Sequence, residues 1–145
     1  MKGMTTRRPT MLTWIVLWIA AAVLFLAIDM VWLLWLGRSI YVAEIGGLLR
    51  DPPNLGAAGA FYALYVTGLM IMVIWPAVQA QSVSQALLYG AILGLVAYGT
   101  YDLTNLSVMN GFTTKIAIID MIWGGVLTSI VATLTTFIGT KVLSR

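Results

Sequence analysis

Four apolar segments, each long enough to cross a lipid bilayer, occupy most of this 145-residue chain. A transmembrane helix needs about 20 apolar residues. The chain has only eight Lys or Arg and five Asp or Glu, too few to cover a soluble domain, where about a quarter of residues are charged. The sequence therefore predicts an all-α integral membrane protein, a single four-helix bundle over residues 1–145. The predicted spans are residues 11–37, 55–80, 86–106 and 115–139.

The segment between the first two spans, residues 38–54, is more polar than its neighbours. Its charged residues are Arg38, Glu44, Arg50 and Asp51. Tyr41, Ile45 and Leu48 recur within it at the spacing of one helix face. We therefore expect a short helix that lies at the membrane surface and is ended by Pro52–Pro53.

The distribution of basic residues predicts the orientation of the bundle. Short connections make neighbouring spans antiparallel, so both termini lie on one side of the membrane. The two tails hold five basic residues, which are Lys2, Arg7, Arg8, Lys141 and Arg145. The connecting segments hold three, which are Arg38, Arg50 and Lys115. Because cytoplasmic segments are enriched in Lys and Arg, we expect an N-in/C-in topology.

Cysteine and histidine are both absent from the chain. Their absence excludes a disulfide framework, a Cys/His zinc site, haem bound through His and a Ser-His-Asp triad. We expect no cofactor and no metal site. The net charge of +3 has no basic run behind it, so nucleic acid is not expected as a partner. The expected partners are the lipid bilayer and either a second copy of the chain or another membrane protein.

Three aspartates, Asp29, Asp102 and Asp120, lie inside the predicted spans. A charged side chain in the hydrocarbon core costs at least about 2.5–3.5 kcal/mol, so each should face protein, a charge partner or water. At about 1.5 Å per residue, they lie about 12, 6 and 7 Å from the same side of the membrane. The sequence therefore predicts an acidic cavity in the outer half of the bundle.

Aromatic and polar residues surround these aspartates in the sequence. Trp32 and Trp123 each follow an Asp by three residues and share its helix face. The residues predicted to bind a ligand or relay a proton are Asp29, Asp102, Asp120, Tyr98, Tyr101, Asn105, Trp32, Trp123, Tyr62 and Tyr65. The predicted charge partners are Arg38, Arg50 and Lys115. A structural role is the alternative, in which the aspartates hold helices together and the aromatic residues anchor the membrane interface.

Two further patterns concern helix packing and internal repetition. Ile28–Trp32 in the first span recurs almost unchanged as Ile119–Trp123 in the fourth, at matched depth, which indicates a common environment. Gly90 and Gly94 in the third span, with Gly124 and Gly125 in the fourth, are typical of helices that pack closely.

A family resemblance appears at Ala97-Tyr98-Gly99-Thr100-Tyr101-Asp102-Leu103-Thr104-Asn105 and at three other motifs. These are Ile28-Asp29-Met30-Val31-Trp32, Leu48-Leu49-Arg50-Asp51 with Pro53-Asn54, and Asp120-x-x-Trp123-Gly124. Together they resemble a bacterial integral-membrane family, domain of unknown function 2177. The resemblance implies a small multi-pass protein of the bacterial inner (cytoplasmic) membrane and supplies no activity.

Three classes of function fit this sequence. The favoured one is binding or proton-coupled transport of a small or lipid-like molecule, for which carboxyl groups in a membrane cavity are suited. Four spans are too few for an enclosed path, so a transporter would be a homodimer. The first alternative is an accessory subunit of a membrane complex. The second is a carboxylate-dependent enzyme that modifies lipids or cleaves within the membrane, which is less favoured because no complete catalytic motif is present.

Overall fold

The computed structural model describes residues 9–143, which are helical apart from short turns and the segment before the second span. Four helices in this part of the chain are long and apolar enough to cross a membrane, which confirms the predicted all-α fold with four candidate spans. The first span is α1 (Met11–Leu36), and a short helix α2 (Arg38–Ile45) follows it. The other spans are α3 (Leu55–Gln79), α4 (Val83–Val108) and α5 (Thr114–Leu143).

Polar caps set the starts of the helices and extend the third span beyond its predicted limits. The Ser82 side chain accepts a hydrogen bond from the backbone N–H of Gln85 at 3.2 Å, so α4 begins at Val83 rather than at residue 86. Asn54 caps α3 in the same way, through the N–H of Ala57 at 3.1 Å. Hydropathy alone misses such polar first turns, because they lie at the edge of the apolar run.

The second span continues through a proline. Pro76 lacks an N–H group, and its ring would clash with the carbonyl group four residues earlier in a regular α-helix. The chain widens into a π-helical turn over Met70–Ile74, directly before this point, and the helix then runs on to Gln79. A second widened turn, Trp32–Leu36, ends α1, where the Gly37 N–H bonds to the Trp32 carbonyl group at 2.7 Å.

Contacts at the two ends of the bundle show that neighbouring spans are antiparallel. Asp29, late in α1, bonds to Tyr62, early in α3. At the other end, a Cβ atom on Gly139 would contact both Val78 and Leu17. We call the end that carries α2 and the Met109–Thr113 turn the α2 side. Four basic residues behind the orientation prediction (Lys2, Arg7, Arg8 and Arg145) lie outside the described residues, so N-in/C-in stays a prediction.

The apolar core fills the half of the bundle away from the α2 side. Its largest fully buried side chains come from α1, α3 and α5, among them Phe25, Leu69 and Leu127. Many large apolar side chains are exposed on the outer faces of the four spans. Apolar side chains on the outer surface are expected where the surrounding solvent is lipid.

The closest helix packing joins α4 to α5 through glycines. A Cβ atom on Gly94 would lie 2.2 Å from the carbonyl oxygen of Gly124 and 2.8 Å from the Cα of Gly125. A Cβ atom on Gly124 would lie 2.1 Å from the Tyr98 ring. The close packing predicted for these glycines is confirmed, and Gly124 provides the space in which Tyr98 sits.

Candidate functional site

A cavity of about 410 Å³ lies within the α2 side of the bundle. Residues from all four spans and from the 38–54 segment line it. Its polar groups come from three aspartates and five tyrosines, namely Asp29, Asp102, Asp120, Tyr41, Tyr62, Tyr65, Tyr98 and Tyr101. Among residues 9–143, no Lys or Arg belongs to the lining. The cavity is therefore acidic and aromatic, with apolar side chains between the polar groups.

Asp29 is held by two donors from other helices. The Tyr62 hydroxyl group donates to Oδ2 at 2.6 Å, and the Trp123 indole N–H donates to Oδ1 at 3.0 Å. Only 5% of Asp29 is exposed. Because charged hydrogen bonds offset the cost of burial, this aspartate is well accommodated and ties α1 to α3 and α5.

Asp120 is reached by Tyr41 of α2. The Tyr41 hydroxyl group donates to Asp120 Oδ1 and accepts the Trp32 indole N–H at 3.1 Å. Burial, followed by the nearby Asp120 carboxylate, raises the pKa of Tyr41, so its phenol stays protonated and can donate. The donor to Asp120 therefore comes from outside the four spans.

The two repeated pentapeptides are paired crosswise. The Trp32 and Trp123 rings stack with centroids 4.5 Å apart and planes 12° from parallel. Trp123, which follows Asp120, bonds to Asp29, whereas Trp32, which follows Asp29, reaches Asp120 through Tyr41. Each tryptophan therefore helps to hold the aspartate of the other repeat, Trp123 directly and Trp32 through Tyr41.

Asp102 differs from the other two aspartates. It is completely buried, and no hydroxyl, indole or backbone N–H group among the described residues donates to either carboxyl oxygen. The side chain lies against Asp120, close enough for the two carboxyl groups to interact. A buried polar group normally has a donor or acceptor of a different kind as its partner, so a buried carboxyl group that lies against a second carboxyl group needs an explanation.

The tyrosines of α3 and α4 form an aromatic wall of the cavity. The Tyr65 hydroxyl group shares a 2.8 Å hydrogen bond with Thr128 of α5. The Tyr65 and Tyr98 rings meet edge to face at 6.1 Å, and Phe61 stacks on Tyr65 at 5.5 Å. These contacts fix the rings in place, since aromatic pairs prefer such geometries.

The other predicted site residues lie outside the cavity lining. Asn105 interacts with Tyr101, which lies one turn earlier in α4. Trp32 and Trp123 stack on each other and bond to the lining residues Tyr41 and Asp29. Arg38 and Arg50 are exposed and do not line the cavity. Lys115 forms an ion pair with Glu44 at 3.3 Å rather than with an aspartate.

A contact around Glu44 docks α2 on the start of α5. Thr113 donates a 2.7 Å hydrogen bond to Glu44, and Lys115 pairs with the same carboxylate. Beside it, Ile40, Tyr41 and Ile45 pack against a small buried cluster of Phe112, Ile116 and Ala117. This docking holds the Tyr41 hydroxyl group over Asp120.

We expect this docking to weaken in acid. The hydrogen bond from Thr113, and then Lys115, lower the pKa of Glu44 below its ordinary value of 4.5. A depressed pKa in the folded state means that the contact stabilises the fold above pH 4.5 and that this contribution is lost as the pH falls through the lower folded value. Hydrogen-exchange protection of α2 amides, corrected for intrinsic rates, should therefore fall below pH 4.5.

The matched variant for this prediction is Glu44→Gln. It should already show the lower α2 protection at pH 7 and little further change in acid. Equal protection in the variant and the wild type at every pH would show that the carboxylate does not hold α2.

Sequence reasoning missed Tyr41 as a site residue. The spacing of Tyr41, Ile45 and Leu48 was visible, but it was assigned to a face on the membrane surface. The usable signal was the phenol group on that apolar face, because a buried Tyr hydroxyl needs a partner and the nearby spans offer carboxylates.

Among residues 9–143, no group of three acidic side chains is arranged to hold a metal ion.

Comparison with known proteins assigns the chain to a family. The model of a family described as predicted membrane protein, DUF2177, matches residues 14–137, most of the chain and all three cavity aspartates. The chain belongs to the DUF2177 family. No curated protein and no solved structure matches this DUF2177 chain. The predicted family is therefore confirmed, and the function must be inferred from the site.

Proposed function

We propose that this DUF2177 protein binds a small or lipid-like molecule in its acidic cavity, with binding linked to a proton. The observation that carries the proposal is Asp102, a fully buried carboxyl group in the cavity lining whose partner among the described residues is another carboxyl group, Asp120. An aspartate that only held helices together would be bonded as Asp29 is. A ligand in the cavity would give Asp102 the donor that the protein does not supply.

The proton follows from the position of Asp120 beside Asp102. Two carboxylates in contact repel each other unless a proton lies between them. A ligand that donates to the pair, or that brings a positive charge, competes with that proton. Binding and proton release are therefore coupled, as in proton-linked carriers.

The apolar core beneath the cavity favours a binding site over a continuous path. Phe25, Val66 and Leu69 are fully buried in the half of the bundle away from the α2 side. Movement of a ligand across the membrane would require these side chains to separate. With the N-in/C-in topology, the cavity lies in the outer half of the bacterial inner membrane.

The test is a comparison of the small molecules that co-purify with matched variants. Ala97 lines the cavity, whereas its neighbour Val96 is 61% exposed and does not. We expect Ala97→Trp to fill the cavity and Val96→Trp to leave it open. Extraction and mass spectrometry should find a stoichiometric molecule with the wild type and Val96→Trp that is lost from Ala97→Trp and from Asp102→Asn.

A second filling variant, Ala58→Trp on α3, keeps the test valid if Ala97→Trp does not fold. Folding of each variant is checked by gel filtration and thermal unfolding. The same set of co-purified molecules in all folded variants would contradict the proposal. A stoichiometric protein in place of a small molecule would favour the accessory-subunit hypothesis instead.

A further inference from the structure

The structure also bears on the chemical class of the ligand, an inference that rests on the proposed binding function. We propose that the cavity takes a hydrophobic amine, a molecule with one positively charged nitrogen and an apolar tail. The charge, donor pattern, ring content and rim of the cavity each support this class.

The charge of the lining selects against anions. Three aspartates line the cavity, and no basic side chain in the described part of the chain does. The base nearest in sequence to Asp120, Lys115, is paired with Glu44 and does not line the cavity. A ligand carboxylate or phosphate would therefore meet like charges without a counter-ion, whereas a cation would meet complementary ones.

The donors of an ammonium group match what Asp102 lacks. Apart from the proton shared with Asp120, no donor among the described residues reaches Asp102, and Tyr41 donates to Asp120 at Oδ1. A primary ammonium carries three N–H donors and no acceptor. Placed between Asp102 and Asp120, it would bond both carboxylates and replace the proton that they otherwise share.

Three of the five lining tyrosines contribute ring surface rather than free donors. The hydroxyl groups of Tyr41, Tyr62 and Tyr65 are already bonded to Asp120, Asp29 and Thr128. Their rings remain in the lining together with those of Tyr98 and Tyr101. Aromatic rings attract cations, and more strongly where water is excluded.

The rim of the cavity offers a place for an apolar tail. Phe61 of α3 and Tyr101 of α4 line the cavity and are still 44% and 60% exposed. The packing of α3 against α4 is concentrated in the Met70–Gln79 part of α3, away from the α2 side. At the level of the cavity the two helices meet through the edge-to-face pair of Tyr65 and Tyr98, and an alkyl chain could leave the cavity beside this pair, along the exposed rings of Phe61 and Tyr101.

The experiment uses three probes that share one chain length and differ in charge. Radiolabelled dodecylamine, dodecanol and dodecanoate are titrated at pH 7 into the full protein in phosphatidylcholine nanodiscs. Ala97→Trp nanodiscs give the background from lipid partitioning, and Val96→Trp is the control variant. We expect saturable, stoichiometric binding of dodecylamine to the wild type and Val96→Trp, and at least about tenfold weaker binding to Asp102→Asn.

The outcomes distinguish a failure of the amine inference from a failure of the proposed binding function. Saturable binding of dodecanol or dodecanoate that equals or exceeds that of dodecylamine would overturn the amine while leaving a lipid-binding cavity in place. A co-purified molecule without a basic nitrogen would do the same. If no probe binds and nothing co-purifies, the binding function itself fails. Dodecylamine binding that Asp102→Asn leaves unchanged would also overturn the inference.

Discussion

Gly94→Ala is expected to destabilise the bundle strongly, although alanine is the better helix former. The new methyl group would lie 2.2 Å from the Gly124 carbonyl oxygen and 2.8 Å from the Gly125 Cα, both of which are backbone atoms. Backbone cannot rotate away, so α4 and α5 must separate. Overpacking of this kind costs about 1–3 kcal/mol or more. Thermal unfolding in detergent should show a clear fall in the midpoint temperature.

The matched control is Gly59→Ala in α3. Nothing lies within 4 Å of a Cβ atom at that position. The same substitution there should be neutral or stabilising by up to about 1 kcal/mol, because alanine has the higher helix propensity. Similar midpoints for the two variants would mean that α4 and α5 are not in backbone contact.

The second large effect concerns the crosswise pairing of the repeats. Asp29→Leu leaves the Trp123 N–H and the Tyr62 hydroxyl group without their acceptor, and Trp123→Phe removes one donor. Each change should cost about 1–3 kcal/mol of unfolding free energy, as expected for a charged hydrogen bond in the interior. The double variant should cost less than the sum, because both changes remove the same bond.

These single and double variants form a double-mutant cycle, and its control is the pair Trp123 and Asp120, which lie on the same helix. Trp123 follows Asp120 by three residues, yet its N–H bonds to Asp29. The cycle of Trp123→Phe with Asp120→Asn should therefore give a smaller coupling energy than the cycle with Asp29→Leu. A larger coupling with Asp120 would show that the crosswise pairing is wrong.

The length of the apolar runs made the four candidate spans predictable, and counting along them brought together three aspartates that line one cavity. A helix rises by a fixed distance per residue, so positions along the membrane normal follow from counting. The polar first turns were not predictable in this way. Val83–Gln85 belongs to α4 because Ser82 caps it, whereas hydropathy places the start at Ala86.

The partners of the aspartates depend on how helices rotate and pack, which counting does not reveal. Shared helix faces placed Trp123 with Asp120, but the stacking of Trp32 on Trp123 turns both indole groups toward the opposite repeat. Lys115 was available as a charge partner for an aspartate and instead meets Glu44, since α2 folds onto the start of α5. These pairings join residues far apart in sequence, and no local pattern encodes them.

The widened turn at Met70–Ile74 has a consequence for how the cavity can change size. Near the α2 side, α4 is fixed to α5 by glycine contacts, and α1 is fixed to α5 by the stacked tryptophans. The Leu55–Leu69 part of α3 packs on α1, where Phe25 contacts Tyr62 and Tyr65, and it reaches α5 through the Tyr65 hydroxyl group. Because helix kinks occur at π-helical turns, we expect this part of α3 to tilt more readily than the glycine-packed α4 and α5. The pair of α4 and α5 then forms a rigid frame, and α3 is the wall that adjusts to the size of a ligand.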